Sequence, residues 1–170
     1  RRVLKIMELE SKKTVTLMTS NELFYMQDGD QYFTWSPDSK WLLANYRPTM
    51  SNGEVVLLDA TGKLPMRNLT QSGYSDGNAK WVADGKQLIW FTNRDGMKAH
   101  ANSGSSQRDV YSLFFTKDGW DRFKLSKDDL ALLKDVEAAE KKAKDEAAKK
   151  LDPKAIPAKP DSTIVFDFDG

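Results

Sequence analysis

One pattern of residues occurs twice in this chain and constrains its fold more than any other feature. The first copy begins with Trp35-Ser36-Pro37-Asp38-Ser39-Lys40 and the second with Trp81-Val82-Ala83-Asp84-Gly85-Lys86, so the two tryptophans are 46 positions apart. In each copy two further apolar runs follow these turn residues. A repeat of roughly 40–50 residues that contains several short strands is typical of a four-stranded antiparallel blade of a β-propeller.

The residue types within each copy fit the strands of such a blade. Asp38-Ser39 and Asp84-Gly85 lie between two apolar runs, where a tight hairpin needs residues that tolerate positive φ. The runs that follow are continuously apolar rather than alternating, which indicates strands buried on both faces. The second copy is predicted to close with a turn at 117–119 and a strand at 124–126. The predicted inter-blade core consists of Trp35, Trp81, Leu43, Ile89, Leu57 and Leu113.

The predicted fold class is therefore mainly β. It is an incomplete β-propeller of about two full four-stranded antiparallel blades, with parts of flanking blades and one charged helical insertion. The predicted segments are a partial blade 1–27, a blade 28–73, a blade 74–126, a helical insertion 127–152, a Pro-rich linker 153–161, and the first strand of the next propeller section 162–170. Because a closed propeller needs at least about four blades and the chain begins without Met, we expect it to be a piece of a longer protein.

The helical insertion is predicted from a sharp change in composition. From Ser126 onwards the chain is rich in Ala, Lys, Glu and Leu, which are strong helix formers. Ser126 is the predicted N-cap, followed by Asp128 and Asp129 in the first turn, where the helix dipole favours carboxylates. A thin apolar stripe along this helix consists of Leu132, Val136, Ala139, Ala143 and Ala147. We predict a solvated helix, with a partner-binding or coiled-coil arm as the alternative.

Composition excludes several classes of function. A net charge of +1 provides no overall field for nucleic acid or membrane binding. The absence of cysteine excludes disulfides, cysteine-ligated zinc and a thiol nucleophile. No run approaches the roughly 20 apolar residues that span a bilayer. We therefore expect neither nucleic acid nor a membrane among the partners.

Two local patterns resemble catalytic or metal sites without meeting their requirements. The long polar loop 93–108 contains the only histidine, His100, beside three serines. These serines lack the Gly-x-Ser-x-Gly turn that presents a nucleophile, so we expect a surface loop. Asp28-Gly29 and Asp76-Gly77 lack the alternating oxygen ligands of a calcium loop, so we predict turns. The sequence thus predicts no catalytic, cofactor-binding or metal-binding residue.

The last residues allow an alternative based on phosphate chemistry. An apolar strand followed by Asp167-Phe168-Asp169-Gly170 has the pattern of the nucleophile motif of haloacid-dehalogenase-type phosphatases. There one Asp attacks phosphorus and the next handles the leaving-group proton, with magnesium between them. That motif opens a doubly wound domain, whereas the residues upstream indicate β structure. We therefore predict a blade strand here.

The repeated unit resembles a known class of propeller blade. Trp35-Ser36-Pro37-Asp38-Ser39-Lys40 is similar to the WD-repeat-like blades of TolB, of prolyl-oligopeptidase relatives and of tricorn-type proteases. The likeness to bacterial tricorn-type proteases is carried by Asn93-Arg94-Asp95-Gly96-Met97 running on to His100-Ala101, by Asp109-Val110-Tyr111, by Phe114-Phe115 with residues 120–126, and by the closing residues 165–170. It covers most of residues 1–126 together with 162–170.

This resemblance implies a non-catalytic propeller segment that guides or filters peptides and unfolded proteins. The serine-protease domain, of the C-terminal-processing type, would lie outside this chain, and no residue here matches its catalytic residues. The resemblance also implies a periplasmic or secreted location, with a cytoplasmic one as the alternative. The partners implied are peptides and other blades or subunits. Open sheet edges further predict self-association. A TolB-like protein-binding scaffold with no protease attached is the alternative function.

Overall fold

A computed structural model describes residues 3–23, 31–49, 52–98, 107–151 and 163–168. The chain divides into two compact units, residues 1–114 and residues 115–170. The predicted Pro-rich linker 153–161, His100 with its serines, Asp28-Gly29 and Asp169 lie outside the described residues.

The described part of the first unit is built from antiparallel strands. The strands are β1 (Leu4–Met7), β2 (Thr14–Met18), β3 (Phe33–Trp35), β4 (Trp41–Tyr46), β5 (Glu54–Asp59), β6 (Arg67–Asn68), β7 (Gly77–Val82), β8 (Gln87–Thr92) and β9 (Asp109–Phe114). They form a hairpin β1-β2, a four-stranded sheet β3-β4-β5-β6 and a three-stranded sheet β7-β8-β9. The predicted mainly β class is therefore confirmed.

The repeat in the sequence is also a repeat in strand pairing. Trp35 on β3 pairs with Leu42 on β4, and Trp81 on β7 pairs with Leu88 on β8. Both β4 and β8 then pair along six residues with the following strand, and β8 begins 46 positions after β4. The two copies therefore place corresponding residues on corresponding faces of their sheets.

The hairpin turns of the two copies require positive φ, as predicted, but follow different backbone paths. Ser39 has φ 59° in the first turn, and Asp84 has φ 54° in the second. Ala83, which stands at the position of Pro37, has φ 49°. Proline is restricted to φ near −65°, so the second turn could not contain the proline of the first.

The middle sheet is buried on both faces. Leu42 and Ala44 on one face belong to a buried cluster with Met18 of the β1-β2 hairpin. On the opposite face Leu43 and Leu57 pair across β4 and β5 and are 0% and 2% exposed. Strand β7 lies against β3, β4 and β5. The continuously apolar strands are thus explained by burial between two neighbouring sheets.

The third sheet is joined to the middle sheet by hydrogen bonds as well as by apolar contacts. The hydroxyl of Tyr32 donates to the carbonyl oxygen of Ala79 at 3.0 Å. The indole N–H of Trp81 donates to the carbonyl oxygen of Thr34 at 3.4 Å. Through these bonds, the polar groups of two large aromatic side chains find hydrogen-bond partners in the neighbouring sheet.

The six predicted core residues differ in burial. Leu43 and Leu57 are buried, whereas Trp81, Ile89 and Leu113 are half-buried. Trp35 departs from the prediction of a buried residue, since its side chain is 42% exposed. It lies on β3, a three-residue strand at the edge of its sheet, where fewer neighbours cover a side chain. An inter-blade core formed by all six stays a prediction.

The second unit begins with a helix where a turn and a strand were predicted. Residues 117–119 belong to helix α1 (Lys117–Phe123), so the prediction of a turn there and of a blade strand at 124–126 is wrong. The hydroxyl of Thr116 accepts a hydrogen bond from the N–H of Gly119 at 3.1 Å and caps the helix. Among the described residues, the second copy of the repeat therefore has three strands rather than four.

The predicted long helix is present as α2 (Lys127–Leu151). Ser126 is the N-cap, as predicted, because its hydroxyl accepts from the N–H of Asp129 at 3.1 Å. Leu132 and Val136 of the apolar stripe are 66% and 48% exposed, as expected for a solvated helix. No helix in the described part of the chain is long and apolar enough to cross a membrane.

The final described segment, residues 163–168, forms no strand. The N–H of Asp167 donates to the carbonyl oxygen of Phe115 at 2.8 Å. The ring of Phe166 packs edge-on against Phe115, with 4.6 Å between ring centroids. For these residues the predicted blade strand is replaced by an irregular segment within the second unit.

Burial of the middle sheet predicts a large difference between two Leu→Ala substitutions. Leu43→Ala is expected to lower the free energy of unfolding by about 2–5 kcal/mol, because it leaves a cavity in a fully buried site. Leu64→Ala, at a side chain that is 56% exposed, is the matched control and should change it by less than about 1 kcal/mol. Urea unfolding of the two variants measures both, and equal effects would contradict the burial of Leu43.

The turn after β5 predicts an acid-sensitive contribution to stability. Burial raises the pKa of Asp59, but hydrogen bonds from the Thr61 hydroxyl and from the backbone N–H groups of Thr61, Leu64 and Lys63 together hold this pKa below its usual 3.8. A lowered folded-state pKa gives stability that is present above the unfolded-state value and is lost as pH falls through the folded-state value. Asp59→Asn should therefore flatten the acid limb of the stability curve, measured by urea unfolding from pH 2 to 6. An NMR titration midpoint of Asp59 above 3.8 would contradict this prediction.

Candidate functional site

A polar cleft of about 250 Å³ lies at one end of the strands of the first unit. It is located where β4 ends and where β3, β5, β7 and β9 begin. This strand-end cleft is lined by residues 31–32, 45–47, 53, 75–78 and 108. Ligand sites commonly occupy such positions, because strand ends expose backbone groups and side chains that the sheet itself does not use.

The cleft is held together by bonds between the end of β4 and the start of β7. The side-chain oxygen of Asn45 accepts from the N–H of Asn78 at 2.8 Å, and its amide nitrogen donates to Asn78 Oδ1 at 3.2 Å. A Cβ atom on Gly77 would lie only 3.2 Å from Asn45 Oδ1. Glycine at this position therefore allows β7 to approach β4 closely.

A buried carboxylate shapes the segment that leads into β7. Glu54 is 7% exposed and accepts hydrogen bonds from the hydroxyl of Thr70 and from the backbone N–H groups of Ser72 and Gly73, at 3.2 and 3.1 Å. The N–H of Asp76 donates to the carbonyl oxygen of Gly53 at 2.8 Å. Glu54 thus organises the loop from which the Ser72 hydroxyl donates to Asp76.

Asp76 is the buried acidic residue of the cleft wall. Its side chain is 4% exposed, and its Oδ2 atom accepts a hydrogen bond from the hydroxyl of Ser72. Its Oδ1 atom is buried without a hydrogen-bond partner among the described residues. Burying an unpaired carboxylate oxygen costs free energy, so a donor supplied by a ligand would be stabilised at this atom.

Two arginines, together with Asp76, give the cleft groups of both charge signs. Arg47 follows β4, with its backbone N–H bonded to the carbonyl oxygen of Glu22 at 3.0 Å, and Arg108 precedes β9. Both line the cleft together with Asp76. Guanidinium groups donate hydrogen bonds to carbonyl and carboxylate oxygens. The cleft can therefore satisfy a ligand that has both acceptors and a donor.

A second cluster supports the cleft from the loop after β8. The guanidinium of Arg94 lies between the rings of Tyr74 and Tyr111, at 5.5 and 5.0 Å from their centroids. The N–H of Ser75 donates to Asn93 Oδ1 at 2.9 Å. These contacts fix the segment before β7 against the start of the long polar loop.

The predicted site residues and the cleft do not coincide. None of the six predicted core residues lines the cleft. Asp76-Gly77 is extended backbone entering β7, so the turn predicted there is wrong. Sequence reasoning missed the cleft because its residues come from five separate stretches of the chain. The one sequence feature that pointed to it was the Asp76-Gly77 pair before the second Trp unit. Within the described ranges, no group of three or more His, Asp or Glu side chains is arranged to hold a metal ion.

The role of Glu54 predicts a specific loss of stability. Glu54→Gln should lower the free energy of unfolding by about 1–3 kcal/mol, because an amide –NH₂ replaces an oxygen that faces N–H donors. Glu10→Gln, at an exposed side chain, is the matched control and should stay within about 0.5 kcal/mol of the parent. Thermal unfolding followed by circular dichroism distinguishes the two. Equal melting temperatures would show that Glu54 does not organise the loop.

No protein-family model matches this chain, and a search of curated proteins finds no match.

Proposed function

We propose that this chain is a non-catalytic segment of a β-propeller that binds extended peptides in the strand-end cleft. We further propose that it serves a tricorn-like serine protease whose catalytic domain lies outside these residues, in the periplasm or outside the cell. The observation that carries the proposal is the polar cleft at the strand ends of two sheets whose Trp hairpins pair in the same register. The residues quoted for the tricorn resemblance support the second part.

The packing of two neighbouring sheets and the matching strand pairing within them support the propeller part of this proposal. Neighbouring blades of a propeller pack face to face, and each blade repeats the strand pairing of the one before it. In the sheets that contain the Trp35 and Trp81 copies, the first hairpins pair in the same register, and β7 of the third sheet lies against β3, β4 and β5 of the middle sheet. On the third sheet Phe91 and Val110 pair directly and are 41% and 59% exposed, as expected of a face that another blade or another copy of the chain would cover.

The polarity of the cleft supports peptide binding. An extended peptide presents one carbonyl acceptor and one N–H donor per residue. Arg47 and Arg108 can donate to peptide carbonyl oxygens, and Asp76 can accept from a peptide donor. Recognition through backbone groups makes little demand on peptide sequence, which suits a segment that guides or filters many substrates.

Binding of an unstructured peptide tests the proposal directly. We expect a fluorescein-labelled decapeptide of mixed sequence to bind the purified chain, measured by fluorescence anisotropy, and to remain uncleaved. Arg108→Gln should weaken binding about tenfold, because it removes a charged donor from the cleft. Arg67→Gln, at an exposed arginine outside the cleft, is the matched control and should leave the affinity unchanged.

Four outcomes would contradict the proposal or part of it. Absence of peptide binding would remove its functional part. Equal weakening by both arginine substitutions would place binding outside the cleft. Cleavage of the peptide by the purified chain would show that the segment is catalytic. Binding of a folded protein without binding of peptides would favour the alternative of a TolB-like scaffold.

A further inference from the structure

We propose that Asp76 binds the free α-ammonium group of a peptide, so that the strand-end cleft receives peptide amino termini rather than internal segments. This inference rests on the proposed peptide binding and adds the part of the peptide that is recognised. It follows from which polar groups of the cleft already have partners, from the size of the cleft and from its charges.

Several polar side chains of the cleft are already engaged within the protein. The amide nitrogen of Gln31 donates to the carbonyl oxygens of Tyr32 and Asn45, and the hydroxyl of Tyr32 donates to Ala79. Asn45 and Asn78 bond to each other. These groups therefore shape the wall and are poorly suited to capture a ligand donor.

Asp76 differs from these residues because half of its carboxylate has no partner. The hydroxyl of Ser72 holds Oδ2, while Oδ1 is buried and unpaired among the described residues. Because the terminal torsion of an aspartate is soft, a small rotation can turn Oδ1 towards the cleft while Oδ2 keeps its bond to Ser72. A charged donor is the strongest partner for such an oxygen.

The volume of the cleft favours the end of a chain. Its 250 Å³ falls below the roughly 300–1,000 Å³ typical of pockets that enclose a whole small molecule. Such a space suits a terminal residue whose remaining chain leaves through the opening. An internal peptide segment would have to enter and leave the same small cleft.

The two arginines of the cleft favour a ligand that carries a hydrogen-bond acceptor close to its ammonium group. A simple cation would be repelled by Arg47 and Arg108, which line the same cleft. In a peptide, the first carbonyl oxygen lies only a few bonds from the α-ammonium group and offers an acceptor to a guanidinium. A peptide amino terminus therefore matches both signs of charge, whereas a diamine matches only one.

Calorimetric titration with two forms of one peptide tests this inference. Tri-alanine amide with a free amino terminus should bind the chain at least about tenfold more tightly than its N-acetylated form, because acetylation removes the charged donor. Asp76→Asn should abolish this preference. Asp84→Asn is the matched control, because Asp84 is exposed in the turn at the opposite end of β7 and Asn also tolerates its positive φ. It should keep the full preference.

The outcomes separate this inference from the proposed function. Equal binding of the two peptide forms would overturn the role of the ammonium group while peptide binding stands. Failure of both tri-alanine forms and of the labelled decapeptide would overturn both. Binding of 1,4-diaminobutane as tight as that of the free peptide would overturn recognition of a peptide terminus. The comparison of peptides uses the parent chain, so it decides the matter even if Asp76→Asn fails to fold.

Discussion

Burial of a single β-sheet on both of its faces is the constraint on which the first unit depends. The central residues of β4 and β5 are apolar, so neither face of their sheet can be left in water without a large cost in free energy. The β1-β2 hairpin covers the Leu42 face, and β7 lies on the Leu43 face. Each sheet in this arrangement is stable because its neighbours are present.

The polar groups at the ends of these strands are positioned by the same packing. Where β4, β5 and β7 converge, backbone groups leave the sheet ladders and need other partners. Glu54 supplies acceptors for the loop before β7, and Asn45 supplies both an acceptor and a donor for Asn78. These side chains are polar yet largely enclosed, and their geometry is determined by the apolar sheets beneath them.

The repeated strands could be predicted from the sequence because their cause is local. The Trp units, the turn residues and the apolar runs are contiguous, and the structure pairs them in equal register. Helix α1 was missed because Lys117-Asp118-Gly119 also fits a turn. The hydrogen bond from the N–H of Gly119 to the hydroxyl of Thr116 caps the helix that forms there instead. The exposure of Trp35 was missed because residue type does not reveal which strand lies at an edge.

The strand-end cleft could not be predicted because its parts meet only after the chain has folded. Residue pairs such as Asn45 and Asn78 are far apart in sequence, and nothing local indicates that Asp76 is buried with one oxygen unpaired. The backbone difference between the turns at Pro37 and Ala83 was likewise not apparent from the sequence. It has a practical consequence. The first three strands of the two copies correspond to each other, but their connecting turns differ, since only one of them accepts a proline. Any synthetic array built by multiplying this motif would have to choose one turn geometry and keep the matching residue in every module.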